Sequence, residues 1–497
     1  MTNIKSFKSF ITESVDPIKS SSSSKKTEKD VTGNLDFKGK ILIIGFGAVG
    51  SDLLPIVLKH VTKNPSNVTV IEKDDHGKIF RERYGKTGVK YIKKEIVKSN
   101  LTSTLAKYVS SGGFVMDVSL DIGCEDILKW CFENDVHYLN TSIERWKTLP
   151  DEEIPNLSER TLYHAHKKMH EFAKQYKGAK TAGIGVGANP GNISLLTKEC
   201  LLIIADKTGI KYKKPEEKED WAQLAKKLGV EVLQVAERDS QIIDVPKQVN
   251  TFVSSWSPEG FCAEGRCCAE MGWGTHEPDG QEDVIKQGSH AAYLPKPGVS
   301  VVVKSWAPLY GPFNANCIQH SESITLSKYL QTADKSYSPT IYYSYQPTDA
   351  ALASVHEFKG RELDMDIPKR VIKDEIIDGT DEMGILAITN KGKSYWYGSS
   401  LNIHTARKLL KGCNATSLQV VANILGTIVW MLENPNCSYT EPEYMDHELI
   451  LKHAKPYLGD MVFAETDWHP TSDKNDLFYR EIDEKHPNCF SNFRVWN

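Results

Sequence analysis

Around residue 45 the hydrophobic pattern of the chain changes period. Ile41-Leu42-Ile43-Ile44 is a short unbroken apolar run, the pattern of a strand buried on both faces. It gives way to Gly45-Phe46-Gly47-Ala48-Val49-Gly50. From there apolar residues recur at helical spacing through Leu53, Leu54, Val57 and Leu58. Strand, glycine turn and helix therefore follow one another directly. Further apolar runs at 68–72, 91–92, 114–118, 138–139 and 181–186 predict more strands, with helical patterns such as residues 127–132 between them. Such alternation predicts an α/β unit over residues 37–200, a doubly wound parallel sheet of the Rossmann type.

The pattern shifts after residue 200. Strand-like pieces at 230–236, 299–303, 341–345 and 384–389 are joined by loops rich in Gly, Pro and Trp. This predicts a second, α+β domain over residues 201–410 with a mixed or mostly antiparallel sheet. Residues 411–497 read as a C-terminal helical segment. Its apolar stretch at 418–432 carries Gln419, Asn423 and Thr427 and is short for a membrane span. A helix so apolar needs a large partner surface, and the first domain offers one. Residues 1–36, with a serine run followed by mixed charges, predict a disordered extension. No secretory apolar core is visible at the start.

Composition narrows the class. Apolar and charged fractions of 40% and 25% are those of a soluble globular protein, and a net charge of −4 carries no nucleic-acid signature. A local acidic pocket for a cationic ligand remains open. Ten cysteines without a C-x-x-C pair predict reduced thiols, a cytoplasmic setting and no metal site.

In its strand–helix context the glycine loop has a mechanism. Gly45 makes the tight turn, and Gly47 lets a pyrophosphate approach the backbone beside Ala48 and Val49. Gly50 lets helix and strand pack closely. Glu72 ends the next strand about twenty residues on, where an acid binds a ribose. NAD is the expected cofactor, since a carboxylate repels a 2′-phosphate. Ser119, Asp121, Thr141, Glu144 and Asn189 follow other strand ends, the side on which such sheets bind ligands.

A second constellation lies at residues 250–277, where Trp256, Glu259, Glu264, Glu270, Trp273, His276 and Glu277 crowd one glycine-punctuated segment. An indole face and carboxylates suit a cation. The segment reads equally as an aromatic core with surface acids. His320 and Glu322, two apart, would share a face if extended. Asp378 and Asp381 are equal candidates, or form a charged turn.

These blocks resemble the bacterial homospermidine synthase family, within the saccharopine-dehydrogenase-like superfamily. The resemblance spans roughly residues 38–465. It rests on the glycine loop, residues 187–191, 235–239, the Trp256 and Trp273 blocks, residues 320–323, 396–399 and 414–420. It implies a tightly held NAD that is reduced and reoxidised within one turnover. Putrescine would lose one nitrogen as ammonia and join a second putrescine, or a related polyamine such as spermidine, to give homospermidine. By the same resemblance, Trp256 would hold a cationic amine or iminium. Glu237 and Glu264 would anchor amines, Asn189 would orient the reacting nitrogen, and His320 would relay protons. Glu322 and Asp381 would line the outer channel, and Asp121 and Glu144 would touch cofactor or amine. A homodimer formed through the second domain is also implied.

Two other readings remain. A saccharopine- or carboxynorspermidine-type reductase would want Arg in its pocket, and the diagnostic loops offer mainly acids, with Arg238 and Arg266 the basic candidates. A non-catalytic NAD-binding regulator would lack a complete set of reacting groups.

Overall fold

The computed structural model describes residues 35–146, 156–281, 283–472 and 481–495. The expected extension lies outside these residues except at its very end. The first unit is built on β1 (Ile41–Ile44), β2 (Val68–Glu72), β3 (Lys90–Lys93), β4 (Phe114–Asp117), β5 (His137–Asn140) and β6 (Ala182–Gly183). They lie in the order β6-β5-β4-β1-β2-β3, all parallel, and Tyr439–Thr440 adds a seventh strand beside β6. β1 and β2 are buried along their whole length, as strands covered by helices on both faces must be. The chain runs outward from β1 through β2 to β3, then returns to start β4 on the other side of β1. The reversal opens a crevice at the carboxyl ends of β1 and β4.

The second unit is a ten-stranded mixed sheet. At its centre β7 (Val230–Asp239) pairs in parallel with Thr340–Gln346 and antiparallel with Thr380–Thr389. Ser394–Asn402 continues the sheet. The carboxyl end of β7 delivers Glu237 and Asp239 as buried acids.

Helix Ala415–Glu433 is long and apolar enough to cross a membrane by length and composition, but 89% of its most apolar window is buried inside the protein. It packs along helix Ala48–His60 and against helix His447–Ala454. The remainder of the C-terminal segment, expected to return to the first unit as helix, serves both sheets. Strand Asp460–Thr466 pairs with Ser394–Asn402 and forms the edge of the second sheet. Phe490 and Phe493 pack edge-on against Tyr342 in the second core.

Candidate active site

A cavity of about 460 Å³ runs from the crevice of the parallel sheet to the end of β7. Its cofactor end is shaped by the glycines. Gly45 has φ +100°, and a Cβ there would lie 2.8 Å from the Val118 carbonyl oxygen. A Cβ on Gly50 would lie 2.2 Å from the Gly45 carbonyl oxygen, so helix and turn touch through that position. A Cβ on Gly47 would meet nothing within 4 Å, which leaves the backbone approachable from the cavity. Gly45, Gly47, Ala48, Val49, Glu72, Ser119 and Thr141 line this end, and Gly50 sits behind it. Glu72 is held by the backbone N–H groups of Phe46 (2.6 Å) and Asp74 (2.9 Å). Ser119 turns its hydroxyl back onto Asp117, at 2.5 Å. A cradle with an open backbone at Gly47 and a fixed acid at Glu72 fits a dinucleotide.

The other end is acidic and aromatic. Trp256 stacks on Phe261, with centroids 5.6 Å apart, and donates its Nε1–H to the Tyr345 hydroxyl at 3.0 Å. The indole is therefore fixed at one face and at its edge. Asn189 donates to Glu237 Oε2 at 2.6 Å. Burial pushes Glu237 above the ordinary carboxylate range, against the hydrogen bonds from Tyr343 and Asn189. Glu264 and Glu144 are each pushed up to about 7 by the same loss of solvent. Glu144 accepts from Ser142 Oγ and the Asp121 backbone, which places both predicted acids in one loop cluster.

His320 Nδ1 lies 2.7 Å from Glu322 Oε2. Burial pulls the imidazole down, but Glu322, Glu264 and Glu237 together outweigh it and raise its pKa. Three acids thus bear on the imidazole, and among the described residues no hydrogen bond reaches its Nε2.

Residues 41–184 match the saccharopine dehydrogenase NADP binding domain, and residues 187–462 match the saccharopine dehydrogenase C-terminal domain. A homospermidine synthase from Mesorhizobium japonicum is 33% identical over 476 residues, 93% of this chain and 97% of that protein. One from Blastochloris viridis is 34% identical over 467 residues, 92% of this chain and 97% of that protein. The crystal structure of the homospermidine synthase from Legionella pneumophila in complex with NAD is similar with a TM-score of 0.86. It is 36% identical and covers 93% of this chain and 99% of that one. The chain belongs to the homospermidine synthase family.

Within this family fold, several expected positions differ. Glu322 does not line the outer channel. It lies behind His320, and its Oε1 accepts from the Gly191 backbone at 3.0 Å. The two residues meet because His320 is the N-cap of helix Ser321–Tyr329, rather than by sharing a strand face. Asp381 does not line the channel either. Fully buried at the start of its strand, it accepts from Thr416 at 2.6 Å. Asp378 faces solvent beside His404. The crowded segment also divides. Trp256, Glu259 and Glu264 line the cavity, whereas Glu270 accepts from the backbone N–H groups of Leu162 and Tyr163 at a helix start. Trp273 is core, and Glu277 accepts from Thr340 and the Phe490 backbone.

Residues outside the expected set also line the cavity. Tyr343 belongs to strand Thr340–Gln346, whose run of tyrosines reads as ordinary core. Its alternation was the available signal, since it puts Tyr343 and Tyr345 on one face. Trp146 donates to Asp126 at 2.7 Å, and Lys94 and Lys98 border the cofactor end.

Proposed function

We propose that this protein makes homospermidine from putrescine, with spermidine as an alternative partner substrate, in the cavity between the two sheets. The observation that carries the reading is the chemistry of the lining. Asp121, Glu144, Glu237, Glu259 and Glu264 line it with the Trp256 indole, and its lysines, Lys73, Lys94 and Lys98, come from the loops after β2 and β3, where Lys98 pairs with Asp126. A substrate with ammonium groups suits such a wall, and a dicarboxylate does not.

Gly45, Gly47, Ala48, Val49 and Glu72, with Ser119 and Thr141, would hold NAD. Bound there, NAD would supply a hydride acceptor for the carbon bearing the amine and a hydride donor within the same turnover. The protein's own groups do the rest. An amine loses hydride from its carbon only with a free lone pair, so the reacting nitrogen must enter neutral. A carboxylate displaced upward by burial, such as Glu264, accepts a proton near neutrality and lets the amine shed it. Asn189 and Glu237 orient that nitrogen, and the other acids hold the distal ammonium. Addition of the second amine to the iminium carbon forms the new C–N bond; His320 then donates a proton from Nε2 to the first nitrogen, which leaves as ammonia, and recovers one from the added ammonium. Trp256 holds the iminium carbon and nitrogen at its indole, where cation–π attraction is strongest once water is excluded.

Incubation with putrescine and NAD, followed by amine chromatography, tests the reading. Homospermidine and ammonia without net NADH support it. Steady NADH production with a keto acid would support a saccharopine-type reaction instead, and NAD binding without product a regulator.

The reading includes a homodimer formed through the second unit and a cytoplasmic setting. Exposed Ile242 and Ile377, on two paired short strands, support the first. The ten cysteines, all free thiols, support the second. A sedimentation measurement that returned a monomer would remove the dimer from it.

A further inference from the structure

We propose that Tyr343 is a positioning residue that sets the orientation of the Glu237 carboxylate toward the substrate amine, a role resting on the diamine reading of the cavity. Its hydroxyl donates to Glu237 Oε2 at 2.9 Å. Asn189 Nδ2 donates to that same oxygen at 2.6 Å. Two donors converge on Oε2, and no described protein donor engages Oε1. The carboxylate plane is thereby fixed with one oxygen committed to protein and the other available to the cavity that Glu237, Asn189 and Tyr343 share.

Tyr343 can do this because of where its strand lies. Thr340–Gln346 runs parallel to β7, with Tyr345 opposite Glu237. Residues two apart share a face, so Tyr343 and Tyr345 both turn toward the end of β7. Their rings stack with centroids 5.2 Å apart and planes 16° apart. Tyr345 in turn accepts from Trp256 Nε1. The Tyr343 ring meets His320 at 4.7 Å in a T-shaped contact. One phenol ring thus touches the proton carrier directly, the anchoring acid through its hydroxyl, and the indole through Tyr345.

The hydroxyl is the donor at any working pH, because burial and the nearby Glu237 raise its own pKa well above that of free tyrosine. Glu237 is also faced by Asp239 on its own strand, by Asp381 on the strand Thr380–Thr389, and by His320. The two acids make its charged form costlier and His320 makes it easier. Donation from Tyr343 also favours the charged form, so its loss raises the Glu237 pKa.

The test is the pH profile of kcat/KM for putrescine in the NAD-loaded protein, for the wild type and Tyr343→Phe. Phe keeps the ring contacts with His320 and Tyr345 and removes only the donor. The expected result is an acid limb moved to higher pH by about one unit, with KM near neutrality raised and kcat retained at alkaline pH. In a Glu237→Gln background, Tyr343→Phe should cost little more. Superimposable profiles, or losses that simply multiply in the double variant, would overturn the proposal. Should the Phe variant melt early, 3-fluorotyrosine at position 343 supplies the reverse arm. Its more acidic hydroxyl donates more strongly, so the limb should move to lower pH, and an unmoved limb overturns the proposal. Absence of homospermidine from the wild type would be a failure of the diamine reading instead.

Discussion

Glu322 binds His320 through one carboxylate oxygen, at 2.7 Å, and the Gly191 backbone through the other, at 3.0 Å. The acid is therefore locked between the loop that carries Asn189 and the imidazole that faces the cavity. It orients the ring and stabilises its charged form.

Glu322→Gln tests that role through pH dependence. Glu322 raises the His320 pKa, so replacing it lowers that pKa. A step that needs protonated His320 then fails at lower pH than before. The alkaline limb of the rate profile should move down by about one to two units, the effect of removing one close charge. An unmoved alkaline limb would contradict a proton-donating His320.

Lys373 couples the cofactor loop to the second unit. Its Nζ lies 2.6 Å from Asp52 Oδ1 on helix Ala48–His60 and 3.2 Å from Ser51 Oγ. Asp52 is buried and also accepts from Ser417 at 2.6 Å. Losing the ammonium strands a buried carboxylate, at about 3 kcal/mol or more. Lys373→Met should release NAD at least about tenfold faster. Product formation should recover when NAD is supplied in excess. Wild-type NAD retention in this variant would show that the bridge does not hold the loop.

On the proposed reading, Glu72 selects NAD over NADP. The matching family model is named for NADP, whereas the Legionella protein is in complex with NAD. With Glu72 fixed by two backbone N–H groups, a 2′-phosphate would meet a buried carboxylate. Glu72→Ala should narrow the preference for NAD over NADP by about tenfold or more. A preference as strong as in the wild type would assign discrimination elsewhere.

Trp256 lines the cavity, with Phe261 stacked on its indole. Trp256→Leu should lower kcat about thirtyfold, equivalent to about 2 kcal/mol for a desolvated cation–π contact, while NAD stays bound. Near-wild-type turnover would remove the aromatic from the mechanism.

The dinucleotide end of this site was legible because its physics is local. Gly45, Gly47 and Gly50 act through their own backbone, and Glu72 follows at a fixed spacing. The strands around them are buried on both faces and so read as continuous apolar runs. Glu322 and Asp381 were harder because their roles depend on distant partners, Gly191 for one and Thr416 for the other. Trp256 stood out by composition, yet nothing in its own segment separates it from Trp273, which the fold buries. Tyr343 was hidden because a tyrosine in a strand reads as core, and only the parallel pairing with β7 brings it to Glu237.

On the proposed reading, one cavity removes hydride from an amine carbon and gives it back to the same carbon. The most direct measurement uses putrescine carrying two deuterium atoms on one terminal carbon, with unlabelled NAD present at one equivalent per site. Mass spectrometry then reads the reacting carbon in the product. Homospermidine that keeps both deuterium atoms on that carbon is the predicted result. Product with a single deuterium there, or label accumulating in free NADH, would show that the hydride does not return to the carbon it left.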